Sequence, residues 1–176
     1  MTTFPTARVA AGAAAVASAA FLVNAAIQVA SPTFDPQISG TRDWANEITF
    51  TLAVAGALVG VLGLARSAII ERRPAHVAAF GFTLLLVGLL AGFPTAESPE
   101  WFAAVGAPGN ALCLIGLGWA AVGAWRSETV PRAAIPLMPL SVLLGVGAAE
   151  VGGGLVAAAW WGCAAVLLTR VRVAVA

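Results

Sequence analysis

The chain has 176 residues, 60% of them hydrophobic and only 10% charged, with a formal charge of +1 and a mean hydropathy of +0.94. A soluble domain carries roughly 25% charged residues, so this chain lacks the polar residues to cover a water-facing surface, and no basic excess marks a nucleic-acid partner. Two Cys and one His exclude a disulfide framework or an all-protein zinc site, and no cofactor is expected.

A membrane-spanning helix needs about 20 mostly apolar residues, and the sequence offers six such runs: 9–30, 47–66, 76–94, 102–125, 133–149 and 154–170. The predicted fold is an all-α, polytopic integral membrane protein, a six-helix transmembrane bundle forming a single domain over 1–176. The first run follows Arg8 and ends in small residues that suit signal cleavage. It is read as a retained helix, because a secretory h-region is usually roughly 7–15 residues. The fifth and sixth runs are short. Pro136 and Pro139 near the start of the fifth, and Gly152-Gly153-Gly154 between the two, predict a kinked, tight hairpin.

Orientation follows from the basic residues, every one of which is Arg. On this scheme Arg8, Arg66, Arg72, Arg73, Arg126, Arg132, Arg170 and Arg172 share one side, and Arg42 alone lies opposite. Arg-rich short loops stay cytoplasmic, which puts both termini inside and Asp35, Asp43, Glu47, Glu97, Glu100 and Glu150 at the outer rim. The expected location is the plasma (inner) membrane of a bacterium, with the lipid bilayer as the chief partner.

Two spans echo each other. Asp43-Trp44 opens a run that closes on Gly63-Leu64-Ala65-Arg66-Ser67, and Glu100-Trp101 opens one that closes on Gly123-Ala124-Trp125-Arg126-Ser127. This predicts a duplicated hairpin, spans two-three and four-five, about an axis along the membrane normal. The competing reading is that Trp favours interfaces and Arg the inner end, so that any two spans look alike. Gly56-x-x-x-Gly60 and Gly88-x-x-x-Gly92 are small-residue packing signatures, expected to pack spans two and three against each other.

The candidate ligand-binding residues are few. Asn24 and Gln28 are four apart and share one helix face; either they join helices by hydrogen bonds or they face a water-filled vestibule. Asp43, Asn46 and Glu47 lie on one face at the mouth of span two, with Thr51 continuing it inward; the acids also suit the helix N-terminal dipole. With Asn110 and Glu150 they would form an acidic outer vestibule that attracts cations or an ammonium group. Glu150 sits between two apolar spans, with Arg42 as the one base on its side. Trp119 and Trp160, like Trp161, lie deeper than the interfacial belt and either line a pocket or pack in the bundle or against lipid. Cys113 and Cys163 read as small apolar residues.

No GxSxG, Walker loop, HExxH or CxxC is present, which leans away from an enzyme. Three functions fit. The first is binding or transport of a small solute through an outward-facing polar site. In size and topology alone it resembles the substrate-binding subunits of vitamin importers. The second is an accessory or assembly subunit docking a membrane-protein partner, or a second copy of itself, through Gly/Ala faces. The third is a membrane enzyme acting on a lipid or isoprenoid, with Glu47 or Glu150 as acid or base.

Overall fold

The structure, a computed structural model, describes residues 6–30, 40–94, 100–148 and 151–173. Among them are six α-helices and no strand: α1 (Ala7–Ala30), α2 (Thr41–Arg66), α3 (Arg72–Gly92), α4 (Phe102–Ser127), α5 (Leu137–Gly147) and α6 (Gly154–Val173). The first four are each long and apolar enough to cross a bilayer. The fifth expected span, 133–149, is cut back: α5 has only 11 residues, about 16 Å at 1.5 Å per residue. The prolines are the reason. Turns run from Pro131 to Pro136, closed by Ala134 N–H to Pro131 O at 2.8 Å and Leu137 N–H to Ala134 O at 3.1 Å, because a proline supplies no N–H for a regular helix.

The helices form a ring in chain order. Each packs on its sequence neighbours, and α6 closes the ring against α1, with a lighter contact to α2. Consecutive helices run in opposite senses, so the Arg8, Arg66, Arg72, Arg126 and Arg170 ends of α1, α2, α3, α4 and α6 gather at one end of the bundle. There Gly63 of α2 meets Ala10 of α1 and Leu168 of α6, and Thr129 Oγ1 donates to Ile69 O at 2.8 Å. At the other end Trp44 stacks on Phe93 with centroids 5.7 Å apart.

Small residues set the closest approaches. A Cβ on Gly56 would lie 2.5 Å from Ala13 O and 3.0 Å from Ala17 N, and one on Gly60 would lie 2.8 Å from the Trp161 ring. A Cβ on Gly116 would lie 2.7 Å from Pro74 O and would also overlap Ala78 N, and one on Gly88 would strike the Phe102 ring. The glycines Gly56, Gly60 and Gly88 therefore do not pack spans two and three together, as the sequence suggested. Those of α2 face α1 and α6, and Gly88 of α3 faces α4. In lipid, helix pairs are held by close van der Waals contact rather than by a hydrophobic force, and glycine is what permits backbone-to-backbone contact. Larger apolar side chains point outward on all four long helices, including Val16 and Val23 of α1, Leu52 of α2, Val87 of α3, and Ile115 and Val122 of α4.

The turn after each Arg-Ser pair has the same unusual backbone. Ala68 has φ 55° and Glu128 has φ 54°, the two non-glycine residues with positive φ among those described. The left-handed region costs an L-residue roughly 1–2 kcal/mol that glycine avoids. Ala68→Gly is therefore expected to stabilise the protein in chemical denaturation by up to about 1 kcal/mol, after glycine's extra unfolded-state entropy is deducted. A loss of stability would show that the turn is held by the Ala68 methyl instead.

Candidate functional site

Two clusters of polar and aromatic side chains lie near the end opposite the arginines. The first joins α1 to α2. Asn24 and Gln28 sit one turn apart on the buried face of α1, 5% and 8% exposed. Asn46 is carried by the second turn of α2. Its Oδ1 accepts from Asn24 Nδ2 and from Gln28 Nε2, each at 2.9 Å, and Asn24 Nδ2 also reaches Asn46 O at 3.3 Å. One side-chain oxygen thus takes two amide donors, and both α1 amides are committed to holding the helices together. Asp43 lies one turn before Asn46, in the first turn of α2 after the N-cap Gly40, where its charge opposes the helix dipole favourably. Glu47 follows Asn46 and is half-buried.

The second cluster lies directly beneath the first. Phe21 is one turn below Asn24 on α1, Phe50 one turn below Asn46 on α2, and their rings meet edge to face at 6.3 Å. They wall a cavity of about 20 Å³ to which all six helices contribute. Val54, Phe82 and Leu85 complete its α2–α3 side, Asn110 and Cys113 come from α4, Ser141, Val142 and Gly145 from α5, and Trp161 from α6. That volume is room for about one water. Its depth follows from the helices: Phe21 is nine residues from the end of α1 and Phe50 nine from the start of α2, which is about 14 Å at 1.5 Å per residue.

The polar groups around the cavity differ in availability. Ser141 donates to Met138 O at 2.6 Å, the usual back-bond of a helical serine. Cys113 Sγ points to Ala78 O at 3.6 Å. Asn110 is part-buried, and its amide makes no hydrogen bond among the described residues. It is therefore the wall residue able to offer both a donor and an acceptor to something in the cavity.

The sequence-predicted residues divide accordingly. Asn24 and Gln28 come together with Asn46, beside Asp43 and Glu47, while Asn110 lies below them at the cavity. Trp119 is 47% exposed on the outer surface of α4. Trp160 is fully buried, and its Nε1 has no partner among the described residues. The indole that reaches the cavity is its neighbour Trp161, 6.2 Å away between centroids. Thr51 Oγ1, on the face of Glu47, is the other buried polar atom without a partner among those described. Glu150 lies outside the described residues, and so its proposed partnership with Arg42 does too. Sequence reasoning missed the aromatic wall, because phenylalanines in apolar helices carry no sign of which neighbour they face.

No protein-family model, curated protein or solved structure matches the chain.

Proposed function

We propose that the chain is a six-span inner-membrane bundle, its arginine-bearing end cytoplasmic, that binds or transports a small solute at a site on the bundle axis. The site is the cavity that Asn110 shares with Phe21, Phe50, Phe82 and Trp161, approached past the amide and acid groups of Asn24, Gln28, Asn46, Asp43 and Glu47. The observation that carries this reading is a repeat in the contacts. Gly56 rests on a carbonyl oxygen, that of Ala13, and on the nitrogen of Ala17. Sixty residues on, Gly116 rests on Pro74 O and Ala78 N. Gly63 lies over Ala10, and Gly123 over Glu71, which continues the same register. The hairpin α1–α2 is thereby matched by α3–α4, with the short hairpin α5–α6 completing the ring.

This register keeps the Arg66-Ser67 and Arg126-Ser127 echo but pairs each helix with the one before it rather than the one after. It also pairs Phe21 with Phe82 and Phe50 with Asn110, and all four line the same cavity. Repeats of parallel sense are related by an axis along the membrane normal, and transporter sites lie where such repeats meet. Asn110 is where the second copy departs from the first, replacing an aromatic wall with an amide. That substitution supports a compact, largely apolar solute with a single hydrogen-bonding group. The cavity has room for about one water, so a larger solute requires its walls to move apart. The outward Val, Leu and Ile side chains favour this reading over an accessory subunit, whose docking face would be Gly and Ala.

Thermal unfolding in detergent with a panel of small amines and amides tests the proposal. At least one compound is expected to raise the melting temperature of the wild type and leave that of Asn110→Leu unmoved. Equal shifts in both proteins would remove Asn110 from the site. Native mass spectrometry of the purified protein is expected to show the same compound, or its natural counterpart, retained at one copy per chain.

A further inference from the structure

We infer that the solute of the axial cavity is a small methylated ammonium ion, with a tertiary ammonium carrying one N–H as the best fit. This rests on that cavity being the solute site. Phe21, Phe50, Phe82 and Trp161 come from four different helices and border the one cavity. They are held as two pairs before any solute arrives. Phe21 meets Phe50 edge to face with centroids 6.3 Å apart and planes at 76°, and Phe82 meets Trp161 at 6.0 Å and 67°. In such a pair the hydrogen-bearing edge of one ring sits on the π face of the other, so each ring fixes its partner's plane. Rings gathered around one point are the means by which proteins recognise alkylated ammonium groups, because a cation is attracted to electron-rich ring faces.

The sign of the charge follows from what surrounds the rings. Among the described residues the cavity lining carries no charged side chain, so an anion would face electron-rich rings with no base to neutralise it. The approach is acidic. At that end of the bundle the described charged residues are Asp43, Glu47 and Glu100 against Arg42, three acids to one base. Glu47 is half-buried and stands one turn above Phe50 and Thr51 on α2. The field along the way in therefore favours a cation over a neutral or negative solute.

Desolvation decides which cation. A bare ammonium or alkali ion gives up a strong hydration shell on leaving water, and ring faces return only part of it. Methyl groups spread the charge over an apolar surface that the rings can cover, so less hydration is lost. The Asn110 amide, which makes no hydrogen bond among the described residues, then supplies one carbonyl acceptor. A tertiary ammonium offers that acceptor a single N–H and offers the rings three methyl groups. The cavity has room for about one water, so the walls move apart on binding. Phe50 and Val142 are its two part-buried apolar side chains and are the ones placed to give way.

The test uses the full chain in neutral detergent at neutral pH and constant ionic strength, with binding read by calorimetry. The probes are trimethylammonium, tetramethylammonium and tert-butanol, a neutral molecule of similar shape. Trimethylammonium is expected to bind about tenfold or more tightly than tert-butanol. Phe50→Leu and Phe82→Leu are each expected to lower its affinity about fivefold or more while leaving that of tert-butanol unchanged. General damage to the cavity would lower both. Tetramethylammonium, which has no N–H, is expected to bind the wild type more weakly than trimethylammonium, and Asn110→Leu to bind both cations equally weakly. Tert-butanol binding as tightly as the cation, and lost in Asn110→Leu, would keep the axial site and overturn the ammonium class. Cation binding that survives all three variants would place the ion on the outer acids and overturn the ring site. No response to these probes or to any other small amine or amide would remove the axial site itself. The two phenylalanines lie on different helices, and melting temperatures without ligand identify a misfolded variant, leaving the other to decide.

Discussion

Gly116→Val is expected to destabilise the bundle by about 3 kcal/mol or more, whereas Gly118→Val on the same helix costs little. The difference is where the new side chain goes. A Cβ on Gly116 enters the backbone of α3 between Pro74 O and Ala78 N, while one on Gly118 meets nothing within 4 Å. Overpacking a close contact typically costs 1–3 kcal/mol, and more when backbone rather than a movable side chain must give way. The change of helix propensity from Gly to Val is small and the same at both positions, so the comparison isolates the steric term. Urea or SDS unfolding in mixed micelles, followed by tryptophan fluorescence, reads the effect. Similar stabilities for the two variants would mean that α3 and α4 do not meet at Gly116. Gly56→Val is expected to behave like Gly116→Val, since it enters α1 between Ala13 O and Ala17 N in the same way. Unequal responses would break the proposed match between the two hairpins.

The amide cluster should respond in a different pattern, and that pattern separates a structural role from a ligand-binding one. Asn46→Leu removes the acceptor shared by Asn24 and Gln28 and leaves two buried amides without it. A buried polar group stripped of its partner costs roughly 1–3 kcal/mol, although membrane hydrogen bonds average nearer 0.6 kcal/mol. A loss of about 1–3 kcal/mol is therefore expected, toward the upper part of the range because two donors are orphaned together. The triple variant Asn24→Leu/Gln28→Leu/Asn46→Leu removes donors and acceptor at once and should recover most of that stability, as replacing all partners by apolar groups is close to neutral. If the triple variant is stable yet no longer shifts with the solute that stabilises the wild type, the cluster belongs to the path to the axial site. If it is stable and binds normally, the amides serve only to join α1 to α2. A triple variant less stable than Asn46→Leu would mean that these amides contribute net stability rather than merely satisfying each other.

Much of this architecture was legible in the chain itself. Apolar runs of the right length marked the four long helices, and the gathering of arginines marked which helix ends share a side. The spacing of Asn24 and Gln28 placed them on one face, and Asn46 was visible as a polar residue at the mouth of α2. What the sequence did not reveal was that a single oxygen of Asn46 takes both amides. Nor did it reveal that Phe21 and Phe50 continue the same two faces down to the axis. Trp160 and Trp161 show the difficulty best. Adjacent residues on a helix point about 100° apart, so one turns to the cavity and the other away, and uniformly apolar neighbours give no cue as to which. The fifth span failed for a local reason, as Pro131 and Pro136 held in turns a segment that hydropathy alone assigns to a helix.

By itself the sequence determined how many apolar segments the chain has, how long they are and which of their ends carry charge, because transfer into a bilayer is a sum over residues along the chain. It left open which helix faces meet, because lipid and protein interior are equally apolar and hydrophobicity does not distinguish them. Steric fit decided that: Gly56 and Gly63 found the backbone and alanines of α1, Gly116 found α3, and the ring that resulted drew Asn110 and the aromatic side chains to one point on its axis.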